Sequence, residues 1–131
     1  MKRSLVGLVL ALGFAGNVLG DKPSVAFSEP IDGATVPKTF KVKFEVKGMK
    51  IEPAGALKEG TGHHHLIIDG GPVPHRQVVA KDATHIHYGK GETEAELTLT
   101  PGKHTLTMQF ADGNHASYGP EMSATIRVTV K

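Results

Sequence analysis

Apolar and polar residues alternate one by one through most of this chain, and this alternation constrains its fold more than any other feature. The clearest example is the run Phe40-Lys41-Val42-Lys43-Phe44-Glu45-Val46-Lys47. Successive side chains of a β-strand point to opposite faces, so the run predicts a strand that is buried on one side only. No window of the sequence keeps a helical period over more than two turns.

Turn residues separate these runs and predict how they assemble. Pro, Gly and Asp stand between about seven strand-like segments, as in Asp32-Gly33 and Pro101-Gly102. Such a series predicts an all-β domain, an immunoglobulin-like antiparallel β-sandwich. We place this domain at residues 21–131. Its two long connections are residues 48–61 and 70–84.

The first 20 residues have the pattern of a secretory signal peptide. Lys2 and Arg3 precede the apolar run from Leu5 to Phe14, and small residues then lead to a cleavage site before Asp21. The apolar run is shorter than the roughly 20 residues that span a bilayer. The sequence therefore predicts cleavage at residue 20, a periplasmic or secreted location and no membrane attachment afterwards.

Composition excludes several functions for the predicted mature domain. Removal of Lys2 and Arg3 leaves equal numbers of basic and acidic residues, which argues against electrostatic binding to nucleic acid. The chain has no Trp and two Tyr, too few for a surface on which bases stack. It has no Cys, so any metal ion must be held by nitrogen and oxygen atoms.

Two His-x-His pairs are the strongest chemical signal. His63 and His65 lie in Gly62-His63-His64-His65-Leu66-Ile67-Ile68-Asp69, and His85 and His87 lie in His85-Ile86-His87-Tyr88-Gly89. Residues two apart share one face of a strand, and adjacent strands bring opposed side chains within about 5 Å. These four imidazoles are therefore the predicted ligands of Cu²⁺ or Zn²⁺. An alternative is a polar network in which the histidines bond to one another and stiffen the sheet.

The remaining histidines and one aspartate are assigned secondary roles. Asp69, His104 and His115 are second-tier candidates, as a further ligand or as an acceptor behind the ligands. His104 has the parity of core residues and is expected to bond to a backbone carbonyl, and His115 lies in a turn that either folds over the site or faces water. His64 is expected to pack inward, and His75 to be a solvated loop residue.

Four segments of the chain carry a resemblance to known proteins: Ser28–Val36, Gly62–Asp69, His85–Glu94 and Pro101–Leu106. Together they resemble an exported bacterial family that is known only as a domain of unknown function. The resemblance implies a periplasmic location and supplies no activity. The opening turn, Pro30-Ile31-Asp32-Gly33-Ala34, is also similar to that of periplasmic copper-resistance sandwich proteins.

Three classes of function remain open at this level. The favoured hypothesis is a non-catalytic domain that binds copper or zinc for buffering, storage or delivery. The second is a metalloenzyme, because His-x-His on a β-sandwich also resembles copper/zinc superoxide dismutase. The third is an accessory domain that binds an envelope protein without a metal. The sequence does not decide whether the domain is an enzyme, although it lacks the motifs of the common hydrolases.

Overall fold

The computed structural model describes residues 22–55 and 57–131. The predicted signal peptide lies outside these residues and stays a prediction. Among the described residues no helix is long and apolar enough to cross a membrane. The described chain forms nine strands and one short 3-10 helix, Pro120–Met122: β1 Ser24–Glu29, β2 Ala34–Val36, β3 Thr39–Lys47, β4 Lys50–Ile51, β5 Thr61–Ile68, β6 His85–Tyr88, β7 Glu94–Thr98, β8 Gly102–Ala111 and β9 Ser123–Val130.

Two sheets form a sandwich, as the sequence predicts. One sheet has the order β1-β3-β7 and is antiparallel. The other has the order β2-β9-β8-β5, and β5 then pairs with both β4 and β6 along its remaining edge. Two short strands raise the number above the predicted seven, because β2 and β4 are too brief to show alternation. Both pair in parallel, β2 with β9 and β4 with β5.

The main core lies between the two sheets and follows the alternation. Phe40, Val42 and Phe44 of β3 are buried, whereas Lys41 and Glu45 are exposed. Apolar side chains that point inward from the second sheet pack against them, because the inner faces of two packed sheets form one core. These inward residues include Leu66, Leu106, Met108, Val128 and Val130.

Strand β5 is buried on both faces, which makes it the most enclosed strand of the second sheet. Its side toward the sandwich carries His64 and Leu66, and its other side is covered by the loops 70–84 and 112–119. The buried Gln109 side chain ties these loops down: its Oε1 accepts from Val73 N at 2.9 Å, and its Nε2 donates to Gly119 O at 2.9 Å. The loops therefore roof one face of β5, and His63 and His65 lie on that face.

Candidate metal centre

Strand β5 supplies two histidines from the centre of the sheet. His63 and His65 are two residues apart and share the roofed face, with exposed fractions of 0% and 1%. β8 pairs along one edge of the strand and β6 along the other, so its backbone is fixed on both sides. The ring centroids of the two residues lie 4.8 Å apart.

Strand β6 supplies the third histidine through its register with β5. His87 stands directly opposite His65 in the antiparallel pair. Their rings stack with centroids 5.0 Å apart and an interplanar angle of 22°. His87 is half-buried, because β6 is an edge strand.

A turn after β8 supplies the fourth histidine. Asp112 accepts hydrogen bonds from Asn114 N and Ala116 N through its side chain, and His115 N donates to its carbonyl at 2.8 Å. His115 has a φ of 66°, in the left-handed region that His enters more readily than most residues. This conformation folds the half-buried His115 over the site, the first of the two arrangements that the sequence allowed.

One ring nitrogen from each of these four residues converges on a common point, and the four atoms lie within 4.8 Å of one another. The Nε2 atom of His63 is the neighbour that the other three share. It lies 3.1 Å from His65 Nε2, 3.1 Å from His87 Nε2 and 3.2 Å from His115 Nδ1. Zinc–nitrogen bonds of about 2.0–2.1 Å give a tetrahedron whose ligand atoms lie about 3.3 Å apart. The three short separations are close to that edge.

Hydrogen bonding among the histidines does not account for this convergence. A neutral imidazole has one N–H and one lone pair, so a single nitrogen cannot bond to three other nitrogens at once. The Nδ1 atoms of His63 and His65 are also buried without a partner in the described structure. The cluster therefore fits a shared cation better than the stiffening network that the sequence left open.

Burial favours the neutral form of three of the imidazoles, those of His63, His65 and His87. It lowers the pKa of His63 from 6.5 to about 4 and that of His65 to about 3, with a further lowering from the neighbouring histidines. It also lowers the pKa of His87. Metal binding needs unprotonated nitrogen, so these residues are in the ligating form at neutral pH. Asp112 and Glu92 oppose the shift at His63 and supply nearby negative charge for a cation.

His85, a predicted ligand, lies outside the cluster. It precedes His87 by two residues in β6 and stands opposite Ile67. Its Nδ1 donates to Asp82 Oδ1 at 2.8 Å. With its Nδ1 bonded to Asp82, the ring of His85 contributes no nitrogen to the cluster. His115 occupies the place in the cluster that the sequence assigned to His85.

Asp69 and His104, two second-tier candidates, form a separate pair. His104 donates to Asp69 Oδ2 at 2.9 Å and to Thr100 O at 2.8 Å, so the expected backbone bond is present. The pair lies near the opposite end of β5 from His63, about 20 Å along the strand. The hydrogen bond to Asp69 raises the pKa of His104. Both ring nitrogens of His104 lie within hydrogen-bond distance of oxygen atoms, so neither is free to bind a metal ion.

The two remaining histidines lie where the sequence predicts. His64 is fully buried and faces the sandwich core, and His75 is exposed in the loop 70–84. His115 is the member of the cluster that the sequence analysis placed only among the second-tier candidates. The signal that could have found it is the turn Asp112-Gly113-Asn114, which immediately precedes it and follows the strand paired with β5.

Fold and site together define a β-sandwich domain with a cluster of four histidines under the loops at one end of a sheet. The chain belongs to the family described as Domain of unknown function (DUF4399), whose model matches residues 42–131. This match contains all four histidines of the cluster.

Other comparisons add the fold alone. The chain is similar to the X-ray structure of the endo-beta-1,4-mannanase from Thermotoga petrophila, with a TM-score of 0.54 and 13% sequence identity. The match covers 95% of this chain and 23% of the mannanase chain. At this identity the likeness concerns architecture and carries no activity. No curated protein matches this chain.

Proposed function

We propose that this chain is an exported domain that binds one divalent metal ion through His63, His65, His87 and His115. The observation that carries the proposal is the position of His63 Nε2, which is nearly equidistant from three other ring nitrogens. A single cation accepts all four lone pairs, whereas no set of tautomers bonds all four nitrogens. The predicted signal peptide supports a periplasmic or secreted location.

Nitrogen ligands favour both Zn²⁺ and Cu²⁺, and the proposal includes either ion. Three of the six separations among the four ring nitrogens, those from His63 Nε2, are 3.1–3.2 Å, and all six are within 4.8 Å. Titration with each ion in turn decides which one the site prefers.

Unequal burial of the ligands supports buffering or delivery of the ion. His63 and His65 are enclosed, while His87 and His115 are half-buried and border solvent. An ion bound here has one enclosed side and one side that an incoming ligand can approach. Storage or transfer needs such exchange, and a purely structural zinc site is closed.

Metal titration of ligand variants tests the proposal. The mature domain should take up about one Zn²⁺ in calorimetry with a competing chelator. Loss of groups behind a metal ligand already costs 10–100-fold in affinity, so His63→Ala and His115→Ala should each cost on the order of 100-fold or more. His85→Ala is the matched control, since it removes a histidine of the same strand as His87, and should leave affinity unchanged.

Two results would contradict this scheme. If the unaltered domain takes up no stoichiometric Zn²⁺ or Cu²⁺, the proposed function is wrong. If His85→Ala weakens binding as much as His115→Ala does, binding occurs but the ligand set is different.

A further inference from the structure

Gly89 directly follows β6 and lies against the imidazole of His87. A Cβ atom built on Gly89 would stand 2.5 Å from Cε1 and 2.5 Å from Nε2 of His87, closer than any normal contact. On its other side the same ring stacks on His65, with centroids 5.0 Å apart. The imidazole of His87 therefore fills a slot between the ring of His65 and the bare Cα of Gly89.

The backbone does not explain a glycine at this position. Gly89 is outside the set of residues with positive φ, so an alanine can adopt its conformation. Its carbonyl accepts a hydrogen bond from Ala54 N at 2.9 Å, which holds this segment in place. With the backbone held and the ring on a rotatable bond, a new side chain would displace the ring. The displaced atoms include Nε2, which lies 3.1 Å from His63 Nε2.

We propose that Gly89 is a positioning residue of the metal site: its lack of a side chain leaves the space that directs His87 Nε2 at the other three ring nitrogens. This inference rests on the proposed function, because it assigns Gly89 a role in the same site. Gly89 itself contacts no ion. It acts through the orientation of one ligand.

Substitution of Gly89 by alanine tests this role against a matched glycine. Gly71 also lacks a positive φ, and a Cβ atom there would meet nothing within 4 Å. Gly89→Ala should lower Zn²⁺ affinity by on the order of 10–100-fold, the usual loss when a ligand is no longer oriented. Gly71→Ala should leave affinity unchanged. With Cu²⁺ as the probe, electron paramagnetic resonance should show one fewer coupled nitrogen in Gly89→Ala.

A double-variant cycle distinguishes positioning from a general structural effect. In a His87→Ala background the space is open, so adding Gly89→Ala should have no further effect on affinity. A further loss of similar size in that background would overturn the inference. If Gly89→Ala alone does not fold, the double variant should fold, since it removes the clash. A double variant that also fails to fold would again overturn the inference.

Ring contacts in the metal-free protein separate this inference from the proposed function. If the unaltered domain binds no metal, the proposed function fails, but nuclear Overhauser contacts between the rings of His87 and His65 still decide the role of Gly89. Loss of these contacts in Gly89→Ala, with retention in Gly71→Ala, supports positioning. Retention in both variants refutes it.

Discussion

His64, the middle residue of the histidine triplet, should weaken the metal-free domain, and His64→Leu should stabilise it. The ring is fully buried, with the ring centroids of Phe44 and Phe110 at 4.8 Å and 5.0 Å. Neither ring nitrogen of His64 has a hydrogen-bond partner in the described structure. Leucine has a similar volume and no polar atom, so it fills the same space without that cost.

The size of the gain follows from these two nitrogens. A buried polar atom without a partner costs about 1–3 kcal/mol. Loss of the edge contacts with the two phenylalanine rings offsets about 1 kcal/mol. Two such nitrogens cost about 2–6 kcal/mol, so after this offset the free energy of unfolding at pH 7 should rise by about 1–5 kcal/mol in His64→Leu.

Acid should widen the difference between the two proteins. Burial, and to a lesser degree His63, lowers the pKa of His64 from 6.5 to about 4. Between these values the unfolded chain binds a proton at His64 and the folded chain does not, so the original protein loses stability as pH falls below 6.5. From pH 7 to pH 5 this one group costs about 2 kcal/mol. His64→Leu is free of this cost.

Urea unfolding at pH 7 and pH 5, with a chelator present, measures both effects. His75→Leu is the control, because His75 is exposed in a loop. It should shift stability by less than about 0.5 kcal/mol at either pH. A His64→Leu protein that is less stable than the original, or a difference that does not grow in acid, would refute the reasoning.

Two further predictions concern groups outside the cluster. Asp69 raises the pKa of His104. The contribution of this pair to the free energy of unfolding is therefore full below pH 6.5 and is lost as pH rises through the raised pKa. Asp69→Asn should therefore lower the melting temperature more at pH 6 than at pH 9, and an equal loss at both would contradict this linkage. Gln109→Leu should lower the free energy of unfolding by about 2–4 kcal/mol, because it leaves Val73 N and Gly119 O without their buried partner. Chemical denaturation measures this loss, and unchanged stability would show that the loop ties are dispensable.

Parity predicts the strands correctly and places two histidines of the cluster on one face. The alternation in β3 fixes which side of it is buried, and the spacing of His63 and His65 places them on one face. Neither result needs a contact from a distant part of the chain. Local pattern is sufficient where the period of a strand alone decides the direction of a side chain.

Register and turn geometry are what the sequence does not supply. His85 and His87 have the same parity, and the pairing of His65 with His87 decides which of them joins the cluster. That pairing depends on how the loop 70–84 packs, over a distance that no short motif encodes. His115 enters through a single left-handed residue after an Asp-capped turn. The alternation of apolar and polar residues does not predict such a backbone conformation.

The cluster is built by contacts that need no ion. β5 is held by backbone pairing on both edges, β6 by its register with β5, and the turn of His115 by the side chain of Asp112. The main core lies on the opposite face of the sheet from His63 and His65. In small zinc domains the ion supplies the folding energy, because the ligands are not assembled without it. Here backbone pairing and an Asp-capped turn hold the four histidines, so under the proposed function little of the binding energy would be spent on ordering the chain. Release of the ion would then leave the sandwich intact, as a domain that exchanges metal requires.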